Sequence, residues 1–413
     1  MTPCSHKKST ARASVVLMLF VGIGGCGGSS GSSAPAAMTP PTSDTAAIDA
    51  VIKGGYGDSW GVELAIYRHG KLLYGHGYGL RDRGLPDDFS GSNFWGIEQP
   101  DQLLRLARGM IAPDADSAFD LASVSKEFTA GAILLLQQDG KLSVNDPLSK
   151  YFPTLPSAGA IPLLYLLQHR SGFVDYNTFG VYPDFTAAYK AFMASGQTNY
   201  EPIVTRLASF PLDFKPGSHY QYSNTNYVLL GMIVARVSGE PLGTFLQQRI
   251  FSPLGMAHTH QGYPSMNGAD LALGYESDAG IVRRSWQWNL QWLAGPGGLS
   301  STVGDLERWD QAVRTPGIFT AATLAAMFKP SPFHEPYGSY ADGWFISSLD
   351  GHRYIWHDGA IGGFQTINAT FPNDDLDIVI LTNNGIGIDN PGLDPYYLLP
   401  KLFPIALQLR ASG

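Results

Sequence analysis

The chain is 413 residues long, with 44% hydrophobic residues, 15% charged residues and a formal net charge of −8 at pH 7. That length suits two domains or one elaborate domain, and the composition is that of a globular chain with a sizeable core rather than a low-complexity one. The excess of acid argues against nucleic acid and anionic lipid headgroups as binding partners.

The first 25 residues read as an export signal. "HKKSTAR" is a positive n-region, and "ASVVLMLFVGIG" is an apolar stretch too short to span a bilayer comfortably. The signal ends in "IGGC", which resembles the lipobox of bacterial lipoproteins, so Cys26 would be the lipidated first residue of the mature chain. An ordinary signal peptide with a chance cysteine is the other reading. Residues 26–45 are rich in Gly, Ser, Ala and Pro with nothing to bury, a composition that predicts a flexible tether for a domain held at the bacterial cell envelope. With Cys4 lost in the signal and Cys26 carrying lipid, no thiol is left for a disulfide or a cysteine metal site. Cleavage also removes Lys7, Lys8 and Arg12, which makes the remaining domain, 46–413, more acidic still.

That domain opens with "DTAAIDAVIK", a short capped helix, followed by "GVELAIYRHGKLLYGHGYGLRD", which reads as an antiparallel hairpin turning at Arg68, His69 and Gly70. Residues 86–113 interrupt the pattern and read as an insertion, with Pro100 and Asp101 opening a short amphipathic helix. Phe94 and Trp95 suit either a flap over a cleft or a surface elaboration remote from it. The stretch from about 127 to 310 is helix-rich: "TAGAILLLQQDG", "IPLLYLLQHRSG" and "TNYVLLGMIVARVSG" are each apolar at helical spacing and end near Gly. After about residue 340, "DGWFISSL", "HRYIWHDG", "GGFQTINATFP" and "LDIVILTN" are four strand-like runs separated by turn residues, and "PYYLLPKLFPIALQLR" reads as a closing helix despite its internal prolines. Strands at both ends with helices between predict an α+β fold: one antiparallel sheet built from the two chain ends, flanked by helices, with an all-helical insert.

Three segments could carry chemistry. In "FDLASVSKEF", Ser123 and Lys126 stand three apart where a helix begins, so both project from one face. A serine hydroxyl becomes a nucleophile when a base takes its proton, and a desolvated lysine is neutral enough to do so. The helix N-terminus favours the negative charge that develops. Taken alone the pair reads more simply as a helix cap followed by a solvated lysine, with Ser125 competing for the cap. In "FKPGSHYQYSNTNY", Tyr222 and Asn224 stand two apart in an extended loop before a helix, offering a proton shuttle and an amide donor to one site; a capped helix with a half-buried tyrosine is the plainer alternative. In "HRYIWHDGAIGGF", His357 precedes Asp358, Gly359 and Ala360: Gly359 would let a substrate approach the backbone, or the segment is simply a turn between strands.

In the order S-x-x-K, Y-S-N, H-D-G, the three resemble the motifs of the penicillin-recognising serine hydrolases, which include class C β-lactamases, D-alanyl-D-alanine carboxypeptidases, D-aminopeptidases and related esterases. "LLQHRSGF", "PGSHYQYSNTNYVLLGMIV" and "GPGGLSSTVGDLERW" are similar to further segments of that family. The resemblance implies a β-lactamase/transpeptidase-like fold and no cofactor. It implies that Ser123 forms an acyl-enzyme, that Lys126 and Tyr222 share the general acid and base work, and that Asn224 orients Lys126 and a substrate amide. It also places the backbone N–H groups of Ser123 and Ala360 at an oxyanion. Which of Lys126 and Tyr222 takes the first proton is left open by the sequence. The substrate would be a small ester, a peptide or a cell-wall fragment.

This chain departs from a β-lactamase where His357 and Asp358 stand in place of the usual lysine and hydroxyl residue. Histidine, with a reference pKa of about 6.5, is mostly neutral at pH 7 and is a weaker partner for a substrate carboxylate. The expectation is poor β-lactam turnover and better activity on an ester or a D-amino-acid amide. The competing class is a non-catalytic penicillin-binding or wall-fragment-binding lipoprotein, against which the presence of all of Ser123, Lys126, Tyr222 and Asn224 argues. His258 and His260 are too few for a catalytic zinc, His169 reads as a brace at a helix end, and Trp286, Trp288 and Trp292 read as core or cleft lining.

Overall fold

A computed structural model describes residues 43–57, 60–85, 110–176, 200–262, 271–278, 281–285, 292–385 and 394–410. The export signal, Cys26, nearly all of the tether, residues 86–109 of the insertion, and Trp286 and Trp288 lie outside the described residues.

The first strands are β1 (Val62–Arg68) and β2 (Lys71–Tyr78). His69 and Gly70 between them both adopt positive φ, +50° and +69°, the backbone twist a two-residue hairpin needs. The C-terminal part supplies β3 (Ser339–Tyr340), β4 (Phe345–Leu349), β5 (His352–Ile361), β6 (Phe364–Phe371) and β7 (Leu376–Thr382). All pair antiparallel in the order β3-β4-β5-β6-β7-β1-β2, and β1 joins β7 along its whole length, from Val62 opposite Thr382 to Arg68 opposite Leu376. The two chain ends therefore meet in the middle of one sheet, as the α+β reading expected.

Both faces of this sheet are covered, which is why "LDIVILT" reads as an apolar run with little alternation. Val62, Leu64, Ile66, Ile378 and Ile380 point to one face, where helix α1 (Ser43–Tyr56) and the closing helix α5 (Leu399–Ala406) bring Ile48, Ile52, Leu402 and Phe403. Ala65, Val379 and Leu381 point to the other and meet a larger core. That core is built on α2 (Ser125–Gln138), α3 (Asn224–Ser238) and α4 (Val303–Arg314). Twelve of the fourteen residues of α2 are buried, so it is a central helix with almost no solvent face. It ends in a Schellman motif: Gly140 takes φ +69°, and the Lys141 N–H reaches the Leu136 carbonyl at 2.9 Å.

Two details differ from the sequence reading. "IPLLYLLQHRSG" holds only a five-residue helix, Leu163–Leu167, because the chain turns at His169, whose φ is +53°. The helix-rich middle also carries strands too short to show a period. Leu299–Ser301 pairs with both Phe119–Asp120 and His260–Gln261, and so ties the approach to α2 to the segment before α4.

Candidate active site

Ser123 sits on a single 3₁₀ turn, Ala122–Val124, between the short strand Phe119–Asp120 and α2. Ala122 is held at φ +47°, a left-handed conformation uncommon for a residue with a Cβ. β5 lies directly against this turn. A Cβ on Gly359 would fall 2.2 Å from the Leu121 carbonyl oxygen, 2.4 Å from Thr366 Oγ1 and 3.1 Å from Ala122 Cβ. Gly359 is thus required by the close approach of β5 to the serine-bearing turn, rather than by the approach of a substrate.

Lys126, the second residue of α2, lies one turn beyond Ser123 and is fully buried. Its Nζ is 2.9 Å from Ser123 Oγ and donates to the Pro296 carbonyl at 2.7 Å. The same Nζ stands 4.8 Å from the centre of the Tyr222 ring and 5.7 Å from that of Tyr227. Burial penalises the charged ammonium more than the carboxylates of Asp175 and Asp358 favour it, and the pKa falls to about 7. A neutral Lys126 amine can keep one N–H on Pro296 while its lone pair faces the serine hydroxyl. Neither serine caps the helix: the N-terminus of α2 has no side-chain cap, and Ser125 Oγ accepts from the Leu299 N–H at 3.1 Å.

The Tyr222 hydroxyl is shielded from water and closes no hydrogen bond of good geometry. Desolvation drives its pKa well up, and Ser123 is near enough to draw it partly back, so it rests as a neutral phenol beside the serine. Asn224 is the first residue of α3, and both its backbone N–H and its Nδ2 donate to Asp175 Oδ2, at 2.7 and 2.9 Å. The asparagine is therefore fastened to Asp175.

His169 holds the tyrosine loop from beneath. Its Nδ1 accepts from the Ser223 N–H at 3.1 Å, its carbonyl accepts from the Gln221 N–H at 2.9 Å, and its ring packs 4.3 Å from that of Tyr222. An imidazole accepting at Nδ1 carries its proton on Nε2, and burial keeps it neutral.

His357 is buried as well. Its Nδ1 lies 2.6 Å from the Asp358 carbonyl, which can only accept, so Nδ1 holds the proton and Nε2 accepts from the Tyr340 hydroxyl at 3.0 Å. Desolvation, followed by the nearby Lys126, pulls its pKa to about 3, which leaves the ring neutral. β4 pairs with β5 only as far as Trp356 opposite Phe345, so among the described residues that side of β5 is an open backbone edge from His357 to Ile361; Ala360 lies on it, exposed.

The fold thus gathers Ser123, Lys126, Tyr222 and the His357–Ala360 edge around one point. Sequence reasoning missed the Pro296 carbonyl, Asp175 and Tyr340. The first sits in the quoted "GPGG" stretch, but nothing in the order of residues shows that its carbonyl faces the lysine.

Among the described residues, Glu307, Asp310 and Asp377 bring carboxylate oxygens within 4.8 Å of one another. The Arg314 guanidinium already lies among them, with Nη2 at 2.6 Å from Asp377 Oδ2 and 3.9 Å from Glu307 Oε1. Burial raises all three carboxyl pKa values, joined for Glu307 and Asp310 by repulsion from the neighbouring acids, so this is an arginine-braced acid cluster beneath the sheet.

Penicillin-binding protein 4* of Bacillus subtilis (strain 168) is 28% identical over 284 residues, covering 65% of this chain and 61% of its own length. The putative penicillin-binding protein PbpX of the same organism is 26% identical, covering 77% of this chain and 69% of its own. The chain therefore spans about three fifths to two thirds of the length of these relatives. Among solved structures, D-amino acid amidase from Ochrobactrum anthropi SV3 superposes with a TM-score of 0.69 at 24% identity, over 89% of this chain and all of that one. The Beta-lactamase family model matches residues 48–401. That span takes in Ser123, Lys126, Tyr222 and the β5 edge together with the sheet that positions them, and the chain belongs to the Beta-lactamase family.

Proposed function

We propose that this protein is a serine hydrolase that opens an ester or amide through an acyl-enzyme on Ser123. The observation that carries the reading is the buried Lys126 amine, 2.9 Å from Ser123 Oγ with its pKa lowered to about 7. A base that is half neutral at pH 7 and already in hydrogen-bonding contact with the hydroxyl meets both requirements of general-base catalysis. Lys126 is the better first base, because the Tyr222 phenol is driven up and starts protonated.

In the proposed sequence, Ser123 Oγ bonds to the carbonyl carbon as its proton passes to Lys126 Nζ. The carbonyl oxygen takes the electron pair and rests on the N–H groups of Ser123 and Ala360. The pair returns, the bond to the leaving group breaks, and that group receives a proton through Lys126 and Tyr222. Water then repeats the steps on the acyl-enzyme, releasing the acid and Ser123. Asn224 and Asp175 fix one wall, and the open edge from His357 to Ile361 can hold an extended substrate by backbone hydrogen bonds. A neutral His357 supplies no cation for a substrate carboxylate, which supports esters or D-amino-acid amides over β-lactams. The likeness to D-amino acid amidase in fold is in keeping with that choice.

The test is hydrolysis of a short-chain nitrophenyl ester and a D-alanine anilide by the protein and its Ser123→Ala variant, beside benzylpenicillin. Turnover of the first two that vanishes in the variant, with slow turnover of penicillin, is expected. Equal trace activity on all three in both proteins would overturn the reading in favour of a non-catalytic binding protein. Efficient penicillin hydrolysis would overturn the substrate choice alone.

We also propose export and lipid anchoring through Cys26 at the bacterial cell envelope, supported by the "IGGC" stretch behind a short apolar segment. Recovery of the expressed protein in the membrane fraction, lost in Cys26→Ser, is expected; equal solubility of the two would refute it.

A further inference from the structure

Beside the serine, sharing Tyr222 as a wall, lies a cavity of about 380 Å³ bounded by β4, β5, the turn at Glu335, Pro336 and Tyr337, and the segment leading into α5. Its lining is unusual in two respects. The rings of Tyr220, Tyr337, Trp356, Tyr396 and Tyr397 face it, and Tyr396 bridges them, stacked on Trp356 at 4.6 Å and edge-on to Tyr337 at 5.7 Å and Tyr397 at 5.6 Å. Tyr337 and Tyr397 are 40% and 48% exposed, placements that cost apolar hydration unless something covers them.

The polar part of the lining is acidic: Glu335, Asp358 and Asp394. Among the described residues none of the three pairs with a lysine or an arginine. Asp394 caps the Pro395–Leu398 turn through the Tyr396 N–H at 2.9 Å. Asp358 Oδ1 lies 3.7 Å from Nδ1 of the neutral His357, and its side chain is 41% exposed toward the opening. Among the described residues no cation sits over any of these five rings, although other aromatic rings of this protein do carry lysine or arginine above them. Aromatic faces and carboxylates share one preference, for a positive charge. Among the described residues the one amine over a ring of the lining is Lys126, 4.8 Å from the centre of the shared Tyr222 wall, and it is turned toward Ser123 and Pro296.

We propose that this cavity is a specificity subsite for a cationic group of the substrate, an ammonium carried on the acyl part or on the leaving group. The proposal rests on the hydrolase reading for its use in turnover but not for binding. Glu335 and Asp394 supply carboxylates, Tyr337, Tyr396 and Tyr397 supply ring surface, with Trp356 stacked behind Tyr396, and Asp358 joins the subsite to the β5 edge. A substrate whose ammonium rests here puts its carbonyl past Tyr222, toward the serine.

Two readouts separate the subsite from the chemistry. The first uses isosteres that differ only in charge: D-alanine 4-nitroanilide against isobutyryl 4-nitroanilide for the acyl side, and acetylcholine against 3,3-dimethylbutyl acetate for the leaving side. In at least one pair the cationic member is expected to have a kcat/KM higher by about tenfold, as a desolvated cation–π contact allows. Glu335→Gln combined with Asp394→Asn should erase most of that ratio and leave the neutral member's rate unchanged. The second titrates Ser123→Ala with choline and with 3,3-dimethylbutanol, following tryptophan fluorescence, with Trp356→Phe to identify the reporter. Saturable quenching by choline alone, lost in Trp356→Phe, is expected. No preference in either pair together with equal responses to choline and the alcohol would overturn the subsite. Choline binding without turnover of any compound would leave the subsite standing and overturn the hydrolase reading.

Discussion

Replacing Lys126 by methionine separates what the buried amine does for reaction from what it costs the fold. A pKa held at about 7 rather than the ordinary 10.5 corresponds to about 5 kcal/mol of discrimination against the charged form. Because the folded value is the lower one, the native state binds fewer protons than the unfolded chain between pH 7 and 10.5, and stability rises with pH across that window. Below about pH 7 the whole penalty is present. Lys126→Met removes it while leaving the Pro296 carbonyl without its donor, at a cost of about 1–3 kcal/mol. The variant should therefore be more stable than the parent at pH 6, by about 2–4 kcal/mol, and less stable at pH 10.5. Glu63, Glu307 and Asp342, each raised to about 8 by burial, titrate in the same range, so the difference between variant and parent is the informative quantity. Urea denaturation at several pH values measures it. Activity should move oppositely: kcat/KM of the parent for a neutral ester should rise with pH to a plateau, with its inflection near 7, and lie about 100-fold below the plateau at pH 5. The variant should lose about 10²–10⁴-fold at the plateau. An inflection near 10, or a variant that is less stable than the parent at pH 6, would refute a buried neutral amine.

Gly359→Ala tests the packing of β5 on the nucleophile turn. With its Cβ 2.2 Å from the Leu121 carbonyl, the turn must move, which should cost about 1–3 kcal/mol of stability and, through a displacement of order 1 Å at Ser123, about 100-fold in kcat. Parental kinetics in a folded variant would show that the turn tolerates the change. Tyr222→Phe removes a buried hydroxyl that closes no good hydrogen bond, so its melting temperature should match or exceed the parent's while kcat falls by about 10²–10⁴-fold. Full activity would remove the phenol from the proton path.

Much of the fold was legible because its elements are long and regular. The hairpin at His69–Gly70, α2 with its Gly140 stop, and β4 to β7 all announce themselves by period and turn residues. The segment ending at His169 was legible as apolar but not as a helix of only five residues, because its length is set by tertiary contacts of the His169 ring and backbone. At the site, Ser123 and Lys126 could be paired from spacing since a helix fixes their relation. The role of Gly359 could not: glycine marks a close approach, and only the structure shows that what approaches is Leu121–Ala122. Asp175 and Tyr340 left no local signal, because their partners are 49 and 17 residues away, and the cavity acids Glu335 and Asp394 left none because only the fold brings their separate turns to one cavity.

The most direct test of the account is the intact mass of the protein after brief acid quench during turnover of a slowly released nitrophenyl ester, followed by peptide mapping. A single acyl increment located on Ser123, absent in Ser123→Ala and formed more slowly in Lys126→Met, is the expected result. An increment on another residue, or turnover of the ester with no increment under any quench and undiminished in Ser123→Ala, would contradict the assignment of Ser123 and Lys126 as nucleophile and base.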